Sequence, residues 1–389
     1  MPTLQSFSHE KAVGPVNGEA QPAPDLHPGM PPLDLSGKQL SFFEFWPTKL
    51  FYIPIGVQWL WLSLKFRGLT LPTLANPGFP FGGLIGESKS RILDLAGPAA
   101  RARIAPWILV RGAADQGRPG LDCRRIQERL DSAGLSFPLV AKPDIGCRGA
   151  GVRLLRGPRD LAGYLAGFPQ DCDLVLQRYV PHEGEAGVFY VKLPGESKGK
   201  LLSVTLKYFP KVVGDGRATL RELIARDPRA RRVARLYIRR HRARLNEVIP
   251  EGEPYRLVFS GSHCRGAIFR DGRPYVTPAM TEAFEEIARD LPEFYFGRFD
   301  VRFPDIESLR RGEDFTVVEI NGAGSEGTHI WDRKTTLLEA YRSLMEQSAL
   351  LYEVGFRNRA RGFRPANLRQ VWRVYWSEKR LVAQYPSTD

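Results

Sequence analysis

An α+β fold with mostly antiparallel strands is what this sequence predicts, from three observations. From Ile104 onward, short apolar runs bounded by turn residues alternate with stretches of helical spacing. Gly187 to Lys192 and Leu201 to Lys207 flank a Pro-Gly-Glu-Ser-Lys-Gly turn, the pattern of a β-hairpin. Gly297 to Phe303 and Phe315 to Asn321 read as a further strand pair, and a long amphipathic helix over Thr335 to Tyr352 follows them.

The elements follow in chain order. Residues 1–38 are rich in Pro, Gly and polar side chains, so they read as a disordered tail. They lack the charged start and apolar run of a secretory signal. Residues 39–97 form a small aromatic-rich N-terminal region. Within it, Leu50 to Leu64 (LFYIPIGVQWLWLSL) is very apolar, but it contains Pro54 and Gln58 and falls short of the roughly 20 residues a spanning helix needs. Two readings stand: a buried helix or strand–helix element, and an interfacial anchor carried by Trp46, Trp59 and Trp61 between Lys49 and Lys65. Ala75 to Gly86 (ANPGFPFGGLIG) then leads into a helix over Glu87 to Ala96. A P-loop is rejected there, because Ser88 stands where a glycine must precede the lysine.

Residues 98–355 make the main domain. Helical spacing covers Leu121 to Ala133 and Arg159 to Gly167, and strands are expected over Phe137 to Lys142 and Leu174 to Val180. Thr219 to Ala225 opens a helix that can run on into the Arg-rich stretch Arg226 to Arg244. Arg256 to Ser260 and Gly266 to Arg270 read as strands, and Thr281 to Asp290 as a helix. Residues 356–389 form a C-terminal extension.

Composition bounds the function classes. The chain has 389 residues, enough for roughly two or three domains. Against 43 Asp and Glu stand 56 Lys and Arg, a balance that suits anionic ligands. Arg226 to Arg244 reads as a solvated helix face over Val233, Leu236 and Ile238, with a polyanion-binding patch as the second reading. Only Tyr237 offers a ring there, so nucleic-acid binding is not expected. Cys123, Cys147, Cys172 and Cys264 are scattered without a CxxC pair, which argues against a zinc site and a disulfide framework and for a reducing cytoplasm.

Three sets of residues carry chemistry. GRFDVRF offers Asp300, and FTVVEIN offers Glu319 and Asn321, which share a strand face as i and i+2. If these strands pair, three oxygen donors gather on one face, a set that suits Mg²⁺. The plainer reading is a carboxylate paired with Arg298 or Arg302. Next, the strand ending in Lys142 leads into a loop with Gly146, Gly149 and Gly151, whose backbone can approach a phosphate closely. The plainer reading is a flexible hairpin turn. Third, LVLQRYV runs into PHEGEAGVF, so that backbone near Tyr179 and Val180 could meet a base edge, and Glu183 or Glu185 could accept from ribose hydroxyls. The plainer reading is exposed loop acids.

These three elements, in this order, resemble the ATP-grasp family over roughly Ser88 to Asp332. LVAKPDIGCRGAGV resembles its phosphate lid, LVLQRYV with GEAGVF its hinge and ribose segment, and GRFDVRF with VVEINGAGSEG its metal strands. VVGDGRATLRELI and VIPEGEPYRLVFSGSHCRGA resemble stretches of cyanophycin-synthetase-like and glutathione-synthetase-like members, and the metal strands are similar to the D-alanine–D-alanine-ligase type. The resemblance implies two α+β subdomains clamping ATP.

By the same resemblance Lys142 touches the phosphates and acts in catalysis. Asp300, Glu319 and Asn321 hold Mg²⁺, with Mn²⁺ as its substitute, and Arg298 stabilises the transferred group. Gln177 stands where the family often has Glu at the adenine amino group. Lys89 or Arg91 is expected as a second phosphate ligand, and Lys207, with Lys211 as competitor, as another. The implied reaction is ligation of a small-molecule carboxylate to an amine through an acyl phosphate; a small-molecule kinase and a membrane-associated nucleotide-binding protein are the alternatives. Arg256, Arg265 and Ser262 are candidates for a substrate carboxylate, and Ser325, Glu326 and His329 for the amine. For His263 and His329 ordinary hydrogen-bonding roles are expected. Peripheral membrane contact and a homodimer complete the expectations about partners.

Overall fold

The computed structural model describes residues 25–34, 40–112, 122–147, 149–259, 261, 263 and 266–386. The strands in chain order are β1 (Trp107–Val110), β2 (Leu139–Pro143), β3 (Arg153–Leu155), β4 (Leu174–Arg178), β5 (Gly184–Val191), β6 (Lys200–Tyr208), β7 (Lys211–Val213), β8 (Pro254–Arg256), β9 (Ile268–Asp271), β10 (Phe296–Phe303) and β11 (Thr316–Asn321). They form a four-stranded sheet ordered β1-β4-β2-β3, a five-stranded sheet ordered β11-β10-β5-β6-β9, and a β7-β8 ribbon. All the pairings between these strands are antiparallel, as the sequence predicts.

The smaller sheet is backed by the Cys123–Ser132 and Pro158–Leu165 helices. Asp122 caps the first by accepting from Arg124 N–H, and Ile126 and Leu130, four apart, enter a core with Leu139, Leu155, Leu161 and Leu176. The larger sheet rests on the Pro278–Arg289 helix, where Met280, Phe284, Ile287 and Ala288 make one apolar face. Strand β5 is buried along its whole length. On β10, Phe299, Val301 and Phe303 join that core. Alternation therefore sends Arg298, Asp300 and Arg302 to the other face, and this is what positions the site.

Several expectations shift. The last long helix runs Leu337–Ala360, nucleated by a Thr336–Glu339 capping box, so the boundary expected after residue 355 falls inside it. The helix from Thr219 stops at Arg226, because Pro228 cannot continue it; a 3₁₀ turn and the short Ala234–Arg240 helix follow. In the Arg-rich stretch Tyr237 is fully buried and Arg229 pairs with buried Glu44. The strand expected over Arg256 to Ser260 is only β8, because its partner β7 is equally short.

The N-terminal region shares cores with the main domain. Ala75 packs with Phe189, Phe296 and Val354, and Asn76 bonds the backbone of Tyr295 and Phe296. The apolar segment is the Ile53–Lys65 helix, seated on the Leu337–Ala360 helix. Among the described residues no helix is long and apolar enough to cross a membrane. Residues 25–34, expected within the tail, pack on the domain: Met30 enters the main core, and Tyr208 donates to the Pro31 carbonyl. The C-terminal extension is the Leu368–Val382 helix, after which Tyr385 joins the small sheet's core.

Candidate functional site

Between the two sheets lies a cavity of about 940 Å³. Its lining draws on Lys142 of β2 with Gly146 and Gly149 after it, on Gln177, Tyr179 and Val180 at the end of β4, and on Glu185, Lys207, Arg298, Asp300, Glu319 and Asn321 of the larger sheet. The three sets of residues predicted from sequence, separated by up to about 180 positions, thus converge on one space. Gly151 lies behind the loop, packed on Pro143 and Tyr385.

Register explains the floor of the site. Asp300 stands opposite Glu319, and Arg298 opposite Asn321. The ladder slips after Asp300, so Val318 is bulged, and its carbonyl accepts from Lys142 Nζ at 2.9 Å. Lys142 therefore bridges the two sheets. Gly187 lies across from Asp300, and a Cβ there would lie 3.0 Å from Arg298 Cδ and 3.2 Å from Asp300 Oδ1, so a larger residue would press on that ion pair.

The floor is an ion network. Arg298 grips Asp300 with both arms, Nε to Oδ1 at 2.8 Å and Nη2 to Oδ2 at 3.1 Å. Lys207 Nζ lies 3.0 Å from Asp300 Oδ1 and 3.2 Å from Glu185 Oε1, and Arg302 Nε lies 2.9 Å from Glu185 Oε2. The plainer reading of Asp300, pairing with Arg298, is therefore realised in the structure. Burial alone would raise the Asp300 carboxyl, but Arg298 and Lys207 outweigh it and hold the group at about 2. Burial lowers the Lys142 ammonium to about 8.

Sequence reasoning named Lys89 or Arg91, and the structure separates them. Ser88 caps the Lys89–Asp94 helix and donates to Asp144 Oδ2 at 2.6 Å, while Asp144 Oδ1 accepts from Ser90 N–H. This ties the helix start to the glycine loop. Lys89 Nζ consequently reaches the Gly146 carbonyl at 2.8 Å and Glu319 Oε1 at 3.7 Å, whereas Arg91 is exposed. Lys211 points away, pairing with Glu183 at 2.8 Å.

Other assignments change. Gln177 Oε1 accepts from Lys142 Nζ at 2.7 Å and its amide donates to the Ala105 carbonyl, so this buried side chain holds Lys142 instead of presenting its oxygen to a base. The Tyr179 N–H is taken by the Pro138 carbonyl. Glu183 and Glu185 are not exposed loop acids: Glu185 lies in β5 within the network above, and Glu183 pairs with His27, Lys211 and Arg256. Arg256 is spent on Glu183, the Val258 and Phe259 carbonyls and the Phe209 ring, so it does not hold a substrate carboxylate. Ser262 and Arg265 lie outside the described residues. Ser325 and Glu326 line the cavity. His329 sits buried with Nε2 at 3.1 Å from Ser343 Oγ, while His263 reaches Glu44 and stacks on Trp331.

Some lining residues had no signal in the sequence. Glu87 lines the same cavity, its Oε2 accepting from Gly322 N–H at 3.1 Å, and burial lifts its carboxyl to about 8. Trp46, Lys49 and Tyr52 form one rim, with Tyr52 donating to Glu326 at 2.7 Å. Glu378 closes another side and accepts from Gly86 N–H at 2.8 Å.

Asp300, Glu319 and Asn321 form the candidate cation site. Among the described residues, no group of three or more His, Cys, Asp or Glu is placed to hold a metal. The set here is two carboxylates and an amide, all hard oxygen donors. The amide nitrogen of Asn321 is buried without a hydrogen-bond partner, a donor that suits an acceptor oxygen and not a cation, which only the amide oxygen could meet. Asp300 Oδ2 accepts a single protein bond and keeps lone-pair capacity. The side-chain oxygens of these residues fit a hard divalent cation.

No family model matches the chain, and no curated protein sequence does. Among solved structures, it is similar to a bifunctional glutathione synthetase from Pasteurella multocida (15% identity, 67% of this chain and 36% of that chain, TM-score 0.34). It therefore spans about a third of that enzyme's length. It is also similar to D-alanine–D-alanine ligase from Bacillus anthracis complexed with ATP (14% identity, 71% and 68% of the two chains, TM-score 0.38). A D-cycloserine synthetase matches at 14% identity over 67% and 70%, with a TM-score of 0.35. At these values the functional reading rests on the cavity and its residues.

Proposed function

We propose that this chain is an ATP-dependent carboxylate–amine ligase of ATP-grasp type, with its nucleotide held between the two sheets. One observation carries the reading: a glycine loop, four cations (Lys89, Lys142, Lys207, Arg298) and a hard-oxygen set (Asp300, Glu319, Asn321) from separate parts of the chain line a single cavity. Such a cavity suits a polyphosphate with its counter-cation. Lys142 and Lys89 would meet the phosphates beneath the Gly146–Gly149 loop, and the Val180 backbone would meet the base. Bound Mg²⁺, held by Asp300, Glu319 and Asn321, would neutralise phosphate charge.

In the proposed reaction a substrate carboxylate oxygen attacks the γ-phosphorus of ATP and ADP leaves. An amine then attacks the acyl carbon of the resulting acyl phosphate, phosphate leaves, and the amine loses its proton. The protein supplies placement and charge, with no nucleophile of its own. Arg298, held by Asp300 and the Glu326 carbonyl, would stabilise the charge that develops on the transferred phosphoryl. Closure of the loop excludes water, which would otherwise hydrolyse the acyl phosphate.

The test is incubation of purified protein with Mg-ATP and pools of amino and carboxylic acids. ADP and phosphate formation that requires both an acid and an amine supports ligation. A phosphorylated product without phosphate release overturns it in favour of a kinase.

A further inference from the structure

The Ile53–Lys65 helix has one face bound and one face bare. Gln58 donates to the Met345 carbonyl at 2.9 Å, Trp59 Nε1 to Ser348 Oγ at 3.0 Å, and Ser63 Oγ meets Tyr352 hydroxyl at 2.7 Å. With Ile55 and Leu62 buried, these bonds fix the helix's rotation. The outward stripe is Leu50, Ile53, Val57, Leu60, Trp61 and Leu64, exposed by 56 to 78%. Their spacing follows one helical face. Nine of the eighteen exposed large apolar side chains among the described residues fall within residues 42–64. Such concentration marks a contact surface, since scattered exposure would be ordinary.

Charge selects the occupant. Between Glu44 and Glu87 the sequence holds no acidic residue, while Lys49, Lys65 and Arg67 are exposed at the two ends of the helix. Two copies packed antiparallel along this stripe would bring Lys49 against the other copy's Lys65 and Arg67, with no acid in the segment to pair them. A surface of anionic headgroups supplies that missing charge, and the exposed rings of Trp46 and Trp61 suit the headgroup layer. The helix is about 20 Å long, too short to span and long enough to lie in the interface. Trp46 and Lys49, both exposed, also line the cavity.

We propose that this face docks the protein on an anionic lipid surface, with the mouth of the cavity at the interface. The inference stands independently of the chemistry assigned to the cavity. The probe is co-sedimentation of the full chain with vesicles of phosphatidylcholine, with and without about 30% phosphatidylglycerol. Binding is expected to the anionic vesicles and to weaken with salt. The Val57→Ser/Leu60→Ser/Trp61→Ser variant is expected to lose it about tenfold or more. These side chains are exposed, so its unfolding midpoint should match the wild type. Lys65→Glu with Arg67→Glu should weaken binding to anionic vesicles and leave any binding to neutral ones unchanged. No binding to anionic vesicles, or undiminished binding by the triple variant, overturns the proposal. A wild-type dimer in sedimentation velocity that the triple variant converts to monomer overturns it in favour of a second copy.

Discussion

Replacing Asp300 with Asn separates the ion pairing the structure shows from the metal-ligand role proposed for that side chain. Its carboxyl sits at about 2 against an ordinary 3.8. A folded value below the unfolded one means stability that is present above pH 3.8 and lost as pH falls toward 2. The difference corresponds to about 2 kcal/mol at pH 7. The side chain is 5% exposed, so solvent screening takes little from this figure. Asn keeps one acceptor oxygen but removes the charge that faces Arg298 and Lys207, and breaking a buried pair can raise the cost to about 3–5 kcal/mol. Urea unfolding without nucleotide should therefore show a loss of about 2–5 kcal/mol at pH 7, and the gap should shrink by about 1 kcal/mol at pH 3. Calorimetric titration of ATP with and without Mg²⁺ reads the metal-ligand role. The wild type should bind ATP more tightly with Mg²⁺, and Asp300→Asn should abolish that difference. If the variant loses stability yet keeps the full Mg²⁺ dependence, Asp300 is an ion-pair partner and not a ligand. If it loses neither, both assignments fail.

Other outcomes are expected from the same cavity. Burial lowers Lys142 to about 8, so ATP affinity should fall as pH rises through about 8, and Lys142→Arg should remove that alkaline limb in a binding–pH profile. Burial lifts Glu87 from 4.5 to about 8, so its contribution is present below pH 4.5 and lost as pH climbs to 8; Glu87→Gln should be more stable than wild type at pH 7 by about 3 kcal/mol and equal at pH 4, by urea unfolding. Gly151 has φ of 69°, and a Cβ there would lie 2.6 Å from Pro143 Cγ, so Gly151→Ala should cost about 1–3 kcal/mol and weaken ATP binding by displacing the loop.

The legible part of the site is the part written locally. A strand ending in Lys142 before Gly146, Gly149 and Gly151 states its own turn chemistry, and the i, i+2 spacing of Glu319 and Asn321 states a shared face. Hairpin and helix signals likewise placed β5, β6, β10 and β11 within a few residues, because period and turn residues act over short distances. What the sequence by itself determined is therefore the α+β class, the antiparallel pairing and the identity of the lysines, Arg298, Asp300, Glu319 and Asn321 on the cavity wall.

Which group faces which was decided only by tertiary structure. Gln177 serves Lys142 instead of a base because two sheets meet there and Val318 bulges toward the same ammonium. Glu183 and Glu185 look equivalent in sequence, but β5 turns Glu185 toward Lys207 and Arg302, while Glu183, one residue before the strand, meets His27, Lys211 and Arg256. Glu87 and Glu378, nearly 300 positions apart, reach one cavity through contacts that leave no periodic mark. The apolar segment from Leu50 to Leu64 read first as a buried element, with an interfacial anchor as the alternative, since periodicity shows that a helix has faces but not what covers them. The Leu337–Ala360 helix covers one face and leaves the other bare, and that long-range packing gives the segment a second surface to explain.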